Sequence, residues 1–449
     1  MASVSRSLRR IQLDLSEHLP EQSILAACEK AKHSWRDRKL GPVVTVQLFM
    51  LQALWFNTAI EHLRRLSGFP FAAAAYCRAR MRLPLPVLQQ LLLDSSASMR
   101  GAGDTTAGLW HGLRAFLVDG SSTITPDTPG LQKAFGQPTG QKPGCGFPVP
   151  KTLGLFDAFT GLIVQMLAFP LFTHEQSKVW QLHPHLKGGD LLVGDRGFCS
   201  FVHLAMLRAR GVLACFRLHQ RQITDFHPHR KSRDQFAKGK RQGKPTSTFV
   251  RRLGHHDQVV CWKRPPKMPA WMTAEQWAAI PEALEVRELQ YTIRSNGQRT
   301  RVITVATTLL DPLLYPKDAV AELYAVRWEV ETHFAELKTT LKMRKLKCKT
   351  EDGIGKELAV YCLVYNLVRA VMVKAAAKQG VTPDRISFID TVRWLTLADI
   401  GEEIPPLVIN KKRDRHEPRV IKDLQDTYRK MTRSRSELRK TLKNQEENG

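Results

Sequence analysis

The stretch Tyr324-Ala-Val-Arg-Trp-Glu-Val-Glu-Thr-His-Phe-Ala-Glu-Leu-Lys338 decides how the rest of the chain is read. At about 100° per residue, a helix over this stretch places Tyr324, Arg327, Glu331 and Lys338 within roughly 60° of arc. Leu323, Val326, Val330, Phe334, Leu337 and Leu341 form a second, apolar stripe beside that row. One face is thus predicted to pack on a core, while its neighbour carries one carboxylate, two cations and a phenol. Such a row suits a metal ion and a phosphate held side by side. A solvated face with Glu331 paired to Arg327 four residues earlier accounts for two of those charges. Tyr324 and Lys338 are what that plainer reading leaves over.

Around this helix, Pro316 falls near its first turn and Asp318 complements the helix dipole. Gly355–Lys378 reads as a longer, mostly apolar core helix. Upstream, Ala115–Val118 is a short apolar run ending in Asp119-Gly120, followed by a Gly/Pro/Ser/Thr-rich loop to Pro150. Leu153–Phe156 and Leu162–Ala168 flank Asp157–Gly161 as a hairpin. A helix is predicted around Glu175–Leu182. Asp190–Val193 is a second apolar run, ending in Gly194-Asp195-Arg196-Gly197; Phe201–Arg210 reads as helix and Val212–Leu218 as strand. Strands and helices in that order predict a mixed α/β sheet. Between 218 and 312, β-type runs (Val259–Trp262, Glu288–Ile293, Arg301–Thr307) mark a separate β-rich unit.

Residues 1–105 read as helical, with runs at Ser23–Trp35, Thr45–Leu66, Phe71–Met81 and Leu85–Ser96, and with Thr45 as an N-cap. Arg78, Arg80 and Arg82 give the third run a basic edge, which suits DNA contact; a plain helical bundle looks the same. The tail from Asn410 holds thirteen Lys/Arg and seven acids and reads as partly helical or disordered.

At 449 residues the chain is long enough for two to four domains, and its 43% hydrophobic content is ordinary. Its net charge of +26 is not, and points to a polyanionic partner, nucleic acid first. The eight cysteines include no C-x-x-C pair, which argues against thiolate zinc sites and a disulfide framework. Residues 217–252 carry eleven Lys/Arg against two Asp. No stretch reaches the ~18 uncharged apolar residues of a membrane span. The expectation is a cytoplasmic, nucleoid-associated protein with no membrane partner.

Asp119 and Asp195 each end an apolar strand. A carboxylate there sits at the rim where ligands bind in α/β folds, although Asp-Gly is also ordinary turn chemistry. Neighbouring strands lie ~4.8 Å apart, so two such side chains are able to share cations if their strands are adjacent. Asp157 reads as a structural turn residue, and His174-Glu175 as a helix start without an assigned role.

The spacing Y-x2-R-x3-E-x6-K, joined to Asp119-Gly-Ser-Ser, Phe135-Gly-Gln-Pro to Pro148, Val193-Gly-Asp195-Arg-Gly-Phe and Tyr76-Cys-Arg-Ala-Arg-Met-Arg-Leu-Pro84, resembles bacterial DDE transposases of insertion-sequence family four. The resemblance covers roughly residues 70–375. It implies a ribonuclease-H-like catalytic core in two parts, 106–217 and 313–378, with an inserted β-rich domain at 218–312. An all-α N-terminal DNA-binding domain (1–105) and a basic C-terminal region (379–449) complete the expected layout. It further implies that Asp119, Asp195 and Glu331 bind two Mg²⁺ (or Mn²⁺) ions, Asp119 bridging both. Tyr324, Arg327 and Lys338 would grip DNA phosphate, with Arg196 a further candidate. Trp262, Trp271 and Trp277 are candidates for stacking an extruded base. The implied activity is cut-and-paste DNA transposition by a homodimer that pairs terminal inverted repeats of double-stranded DNA, nicks them, forms hairpins and transfers strands to a target. A non-catalytic DNA-binding relative or inhibitor, and a structure-specific nuclease of the same core, are the alternatives.

Overall fold

Strands buried on both faces read as unbroken apolar runs rather than alternating ones, and the runs at 115–118 and 191–193 lie at the centre of the sheet. The computed structural model describes residues 19–101, 108–293, 301–397, 403–408 and 432–446. The tail expectation for 410–431 therefore lies outside the described residues. Among the described residues five helices come first: α1 Glu21–Lys30, α2 Pro42–Leu54, α3 Ile60–Ser67, α4 Ala73–Arg82 and α5 Leu85–Gly101. Then come β1 Ala115–Ser122, α6 Pro129–Phe135, the hairpin β2 Lys151–Asp157 and β3 Ile163–Phe169, β4 Leu191–Gly194, α7 Phe201–Ala209 and β5 Leu213–Arg217. Next are β6 Thr248–Gly254, β7 Asp257–Lys263, α8 Ala274–Ala278, β8 Ala283–Ile293 and β9 Arg301–Thr307. The helices α9 Lys317–Val326, α10 Glu329–Ala335, α11 Glu351–Gln379, α12 Phe388–Leu397 and α13 Arg435–Glu446 close the chain.

Among the described residues nine strands form one mixed sheet in the order β3-β2-β1-β4-β5-β9-β8-β7-β6. β1 pairs antiparallel with β2 and parallel with β4, and β4 pairs parallel with β5. β9 joins β5 antiparallel, so the β-rich stretch, expected as a separate unit, extends the same sheet. Strand β6 lies inside the basic run that showed no strand pattern; its middle residues are exposed, as an edge strand allows. Buried Arg287 on β8 closes this half. Its guanidinium grips Asp257 at 2.6 and 2.8 Å and donates to the carbonyls of Leu309 and Tyr315.

Several helix expectations need correction. The run Thr45–Leu66 is two helices, because Phe56 and Asn57 take left-handed conformations (φ 56° and 55°) between α2 and α3. Thr45 is not the N-cap: Gly41 is, with Pro42 as first helical residue, and the Thr45 hydroxyl donates to Gly41 O at 2.7 Å. The helix predicted over Glu175–Leu182 is two 3₁₀ turns, 175–177 and 179–185. The decisive helix is also broken. Arg327 and Trp328 separate α9 from α10, and Glu336–Thr340 is a π-helical turn.

One face of the sheet packs on α5, α10 and α11, and the other on α7 and the 3₁₀ turns. α11 is the buried axis: helices α2, α5 and α12 all lie against it. By composition it is long and apolar enough to cross a membrane, but 89% of its apolar window is buried within the protein. The N-terminal helices thus share a core with α11. Asn57 Nδ2 donates to Glu357 Oε1, which also takes the backbone N–H of Lys347 at 3.0 Å. Arg80 belongs to this seam, stacked 3.7 Å over the Phe49 ring and donating to Gln52 and Cys348. Arg78 and Arg82 remain exposed.

Candidate active site

Register builds the site. Val118 of β1 is level with Gly194 of β4, and Gly194 with Phe216 of β5. The next residue on each strand is Asp119, Asp195 and Arg217. Alternation puts these three on the face of Leu117, Val193 and Cys215, which packs toward α10 and α11. Gly194 permits the close spacing: a Cβ there would stand 2.9 Å from Val118 Cγ1. Asp119 is not a strand terminus as expected, for β1 runs on to Ser122 against β2, where Asp119 faces Gly154. Asp195 precedes the short turn Arg196–Phe198 without a side-chain capping bond to it.

The interrupted helix brings the rest. Arg327, 4% exposed, lies between two carboxylates: Nη1 is 3.6 Å from Asp119 Oδ2, and Nη2 is 3.6 Å from Glu331 Oε1. Glu331, with 58% of its side chain exposed, faces outward from the pair. The Arg327 guanidinium lies 4.3 Å over the Trp328 ring, and its Nε has no partner. Lys338, on the π turn, donates to Ser121 Oγ at 3.0 Å. Tyr324 is 1% exposed with an unpartnered hydroxyl. It interacts electrostatically with Arg327, Asp195 and Arg217. Arg327 lies 5.8 Å from the Tyr324 ring centroid and 3.6 Å from Glu331, with Tyr324 buried and Glu331 exposed.

The electrostatics are those of crowded carboxylates. Burial pushes the Asp119 carboxyl up to about 6; the Gly120 N–H, donating to Oδ1 at 2.8 Å, and Arg327 oppose this, while Asp195 and Glu175 add to it. Asp195 Oδ1 is buried without a hydrogen-bond partner. Burial, then neighbouring Arg344, lowers the Lys338 pKa. Among the described residues no three His, Cys, Asp or Glu side chains form a chelating cluster, and Arg327 stands between Asp119 and Glu331. The donor set still fits hard divalent cations: it offers carboxylate oxygens, one of them orphaned and one on a carboxyl that burial raises to about 6.

The other candidates divide. Arg196 is exposed, donating to Gln220 at 2.9 Å. Trp262 is a core residue, 4% exposed, its indole donating to Glu288 at 3.0 Å, and a buried ring offers no face to a base. Trp271 and Trp277 are partly buried, with Arg264 5.1 Å over the Trp277 ring. Asp157 is structural: its Oδ1 accepts from Phe159 N, Thr160 N and the Thr160 hydroxyl. Sequence reasoning missed Arg217 and Ser121. Only the strand pairing reveals Arg217, whereas Ser121, two residues after Asp119, was within reach of the motif.

The family model of the transposase DDE domain matches residues 110–367, more than half of the chain. Transposase InsG for insertion sequence element IS4 of Escherichia coli (strain K12) is 25% identical over 396 residues, 86% of this chain and 82% of its own. Among solved structures, the piggyBac transposase synaptic complex with hairpin DNA aligns over 88% of this chain and 80% of that one. Its identity of 9% and TM-score of 0.37 are too low to bear on fold or function.

Proposed function

The chain belongs to the transposase DDE-domain family, as a relative of the IS4 insertion-sequence transposase, and on that premise we propose that it moves a DNA element by cut and paste. One observation carries this above the others: Asp119 and Asp195 leave adjacent parallel strands at one level, and Arg327 ties Asp119 to Glu331. Residues 106–217 and 313–378 form a ribonuclease-H-like core, a reading supported by the antiparallel hairpin beside two parallel strands. Residues 218–312 are the inserted domain, 1–105 bind DNA, and the basic region 379–449 runs along phosphates. Two copies pair the terminal inverted repeats of double-stranded DNA in the bacterial nucleoid.

Asp119, Asp195 and Glu331 would hold two Mg²⁺ (or Mn²⁺) ions. Held there, such ions would supply positive charge to the attacking and departing oxygens of an in-line phosphoryl displacement. The side chains do the rest. Arg327 and Arg217 offer guanidinium forks to phosphate oxygens, and Lys338 a point charge. Tyr324 supplies a hydroxyl from the buried side, and Arg196 lies at the outer rim. Water nicks one strand and frees a 3′-OH, which attacks the opposite strand to close a hairpin. Water reopens the hairpin, and the 3′-OH then attacks target DNA. One set of carboxylates serves each step because every step is the same displacement. Trp271 or Trp277 stacks the base extruded at the hairpin.

The test is nicking of DNA bearing the element's ends, with Mg²⁺, by wild type, Asp119→Asn and Glu331→Gln. Both variants are expected to bind ends normally and lose nicking. Wild-type nicking by Asp119→Asn would end the proposal. Strand-transfer products separate a transposase from a nuclease of the same core.

A further inference from the structure

Gly120 follows Asp119 and has no left-handed φ to explain it. Its place is explained by what lies against it. A Cβ built there would stand 2.5 Å from Glu175 Oε1, 2.7 Å from Cδ and 3.0 Å from Oε2. The Glu175 carboxylate therefore occupies the volume a side chain at position 120 would need. The same Gly120 donates its N–H to Asp119 Oδ1 at 2.8 Å, so one peptide unit joins the two acids. The 3₁₀ turn that carries Glu175 also packs on the Arg196–Phe198 turn that follows Asp195. Glu175 thus lies beside Asp119 from the opposite face of β1, at the rim where β4 has ended. Its negative charge adds to the crowding felt by Asp119.

Nothing among the described residues offsets that charge: no hydrogen bond or ion pair reaches the Glu175 carboxylate. Arg327 reaches Asp119 and Glu331 instead. A second observation points to a ligand here. Tyr324, 1% exposed and interacting with Asp195, keeps a hydroxyl without a partner, as Asp195 keeps an oxygen. A carboxylate set beside Asp119 with no paired cation is a seat for added positive charge. We propose that Glu175 supplies a fourth carboxylate to the divalent-cation site of Asp119, Asp195 and Glu331, and that residue 120 is glycine to admit it. This rests on the cation site described above.

The test is calorimetric titration of the full-length protein with Mn²⁺ in the absence of DNA. Glu175→Gln is expected to weaken Mn²⁺ binding about tenfold, in the range seen when partners of a metal site are removed. Gly120→Ala leaves every acid in place but takes the seat of the Glu175 carboxylate, so it should weaken binding similarly, and should add nothing in a Glu175→Ala background. With EDTA, the melting temperature of Glu175→Gln is expected to stay level or rise, since no bond is lost; a fall would mark Glu175 as a structural residue and overturn the proposal. Unchanged Mn²⁺ affinity in Glu175→Gln, with Asp119→Asn weakened, overturns the role of Glu175 alone. Unchanged affinity in both overturns the cation site as well.

Discussion

At the scale of single residues, Asp119 and Arg327 define each other. Arg327 is the positive charge nearest a carboxylate that burial pushes up to about 6. In the unfolded chain Asp119 titrates near 4. Between these values the folded protein keeps a proton that the unfolded chain has released, so this group's contribution to stability falls as pH rises from about 4 to 6. Without divalent cations, Asp119→Asn should therefore stabilise the protein at pH 7, by on the order of 1–3 kcal/mol; equal denaturation midpoints for variant and wild type would contradict the assigned burial. Arg327→Ala should do the reverse, by roughly 2 kcal/mol in EDTA, because it leaves the Asp119 charge without its partner. Added Mn²⁺ should narrow that difference, which thermal melts at two metal concentrations would read.

At the scale of elements, the turn after Asp195 is held from below by two histidines. His203 Nδ1 lies 2.7 Å from Phe198 O, and its Nε2 lies 3.0 Å from His183 Nε2. A carbonyl only accepts, so His203 carries its proton on Nδ1 and accepts from His183 at Nε2. Burial drives both rings far below the usual imidazole range, His203 to about 4. Their folded pKa is depressed, so the stability they lend is present above about 6.5 and is lost as pH falls toward 4. The C2 proton resonance of His203 should show no titration step near pH 6.5; a normal midpoint there would mean the pair is open. The π turn at Glu336–Thr340 has a different task, placing Lys338 beside Ser121 on β1. Lys338→Ala is expected to weaken end binding and reduce its salt slope by about one. An unchanged slope in a binding series over salt would exclude a phosphate contact.

At the scale of the molecule, the helices before residue 105 are part of the structural core. They cover α11, whose residues from Ile354 to Ala376 are mostly buried. A chain beginning at residue 106 should consequently expose that face and aggregate, or melt far below the full protein. A soluble, cooperatively melting 106–449 fragment would show that the layers are independent. The same seam takes Arg80 out of any DNA-facing row and leaves Arg78 and Arg82 to it.

The local pattern by itself determined the strands that matter, the hairpin, the buried helix 351–379, the excess of positive charge and the identity of Asp119, Asp195 and Glu331 as candidates. Each of these is written in neighbouring residues, as unbroken apolar runs or as a motif with fixed spacing. Tertiary structure alone decided what depends on pairing across distance. It set Asp119, Asp195 and Arg217 level at one rim, brought the Arg327 guanidinium within 3.6 Å of Asp119 on β1, and buried Trp262. It also brought Glu175 to Gly120. A helical wheel assumes an unbroken helix, and periodicity cannot say which strands are neighbours; both were settled by long-range packing, whose partners can lie 300 residues apart in sequence.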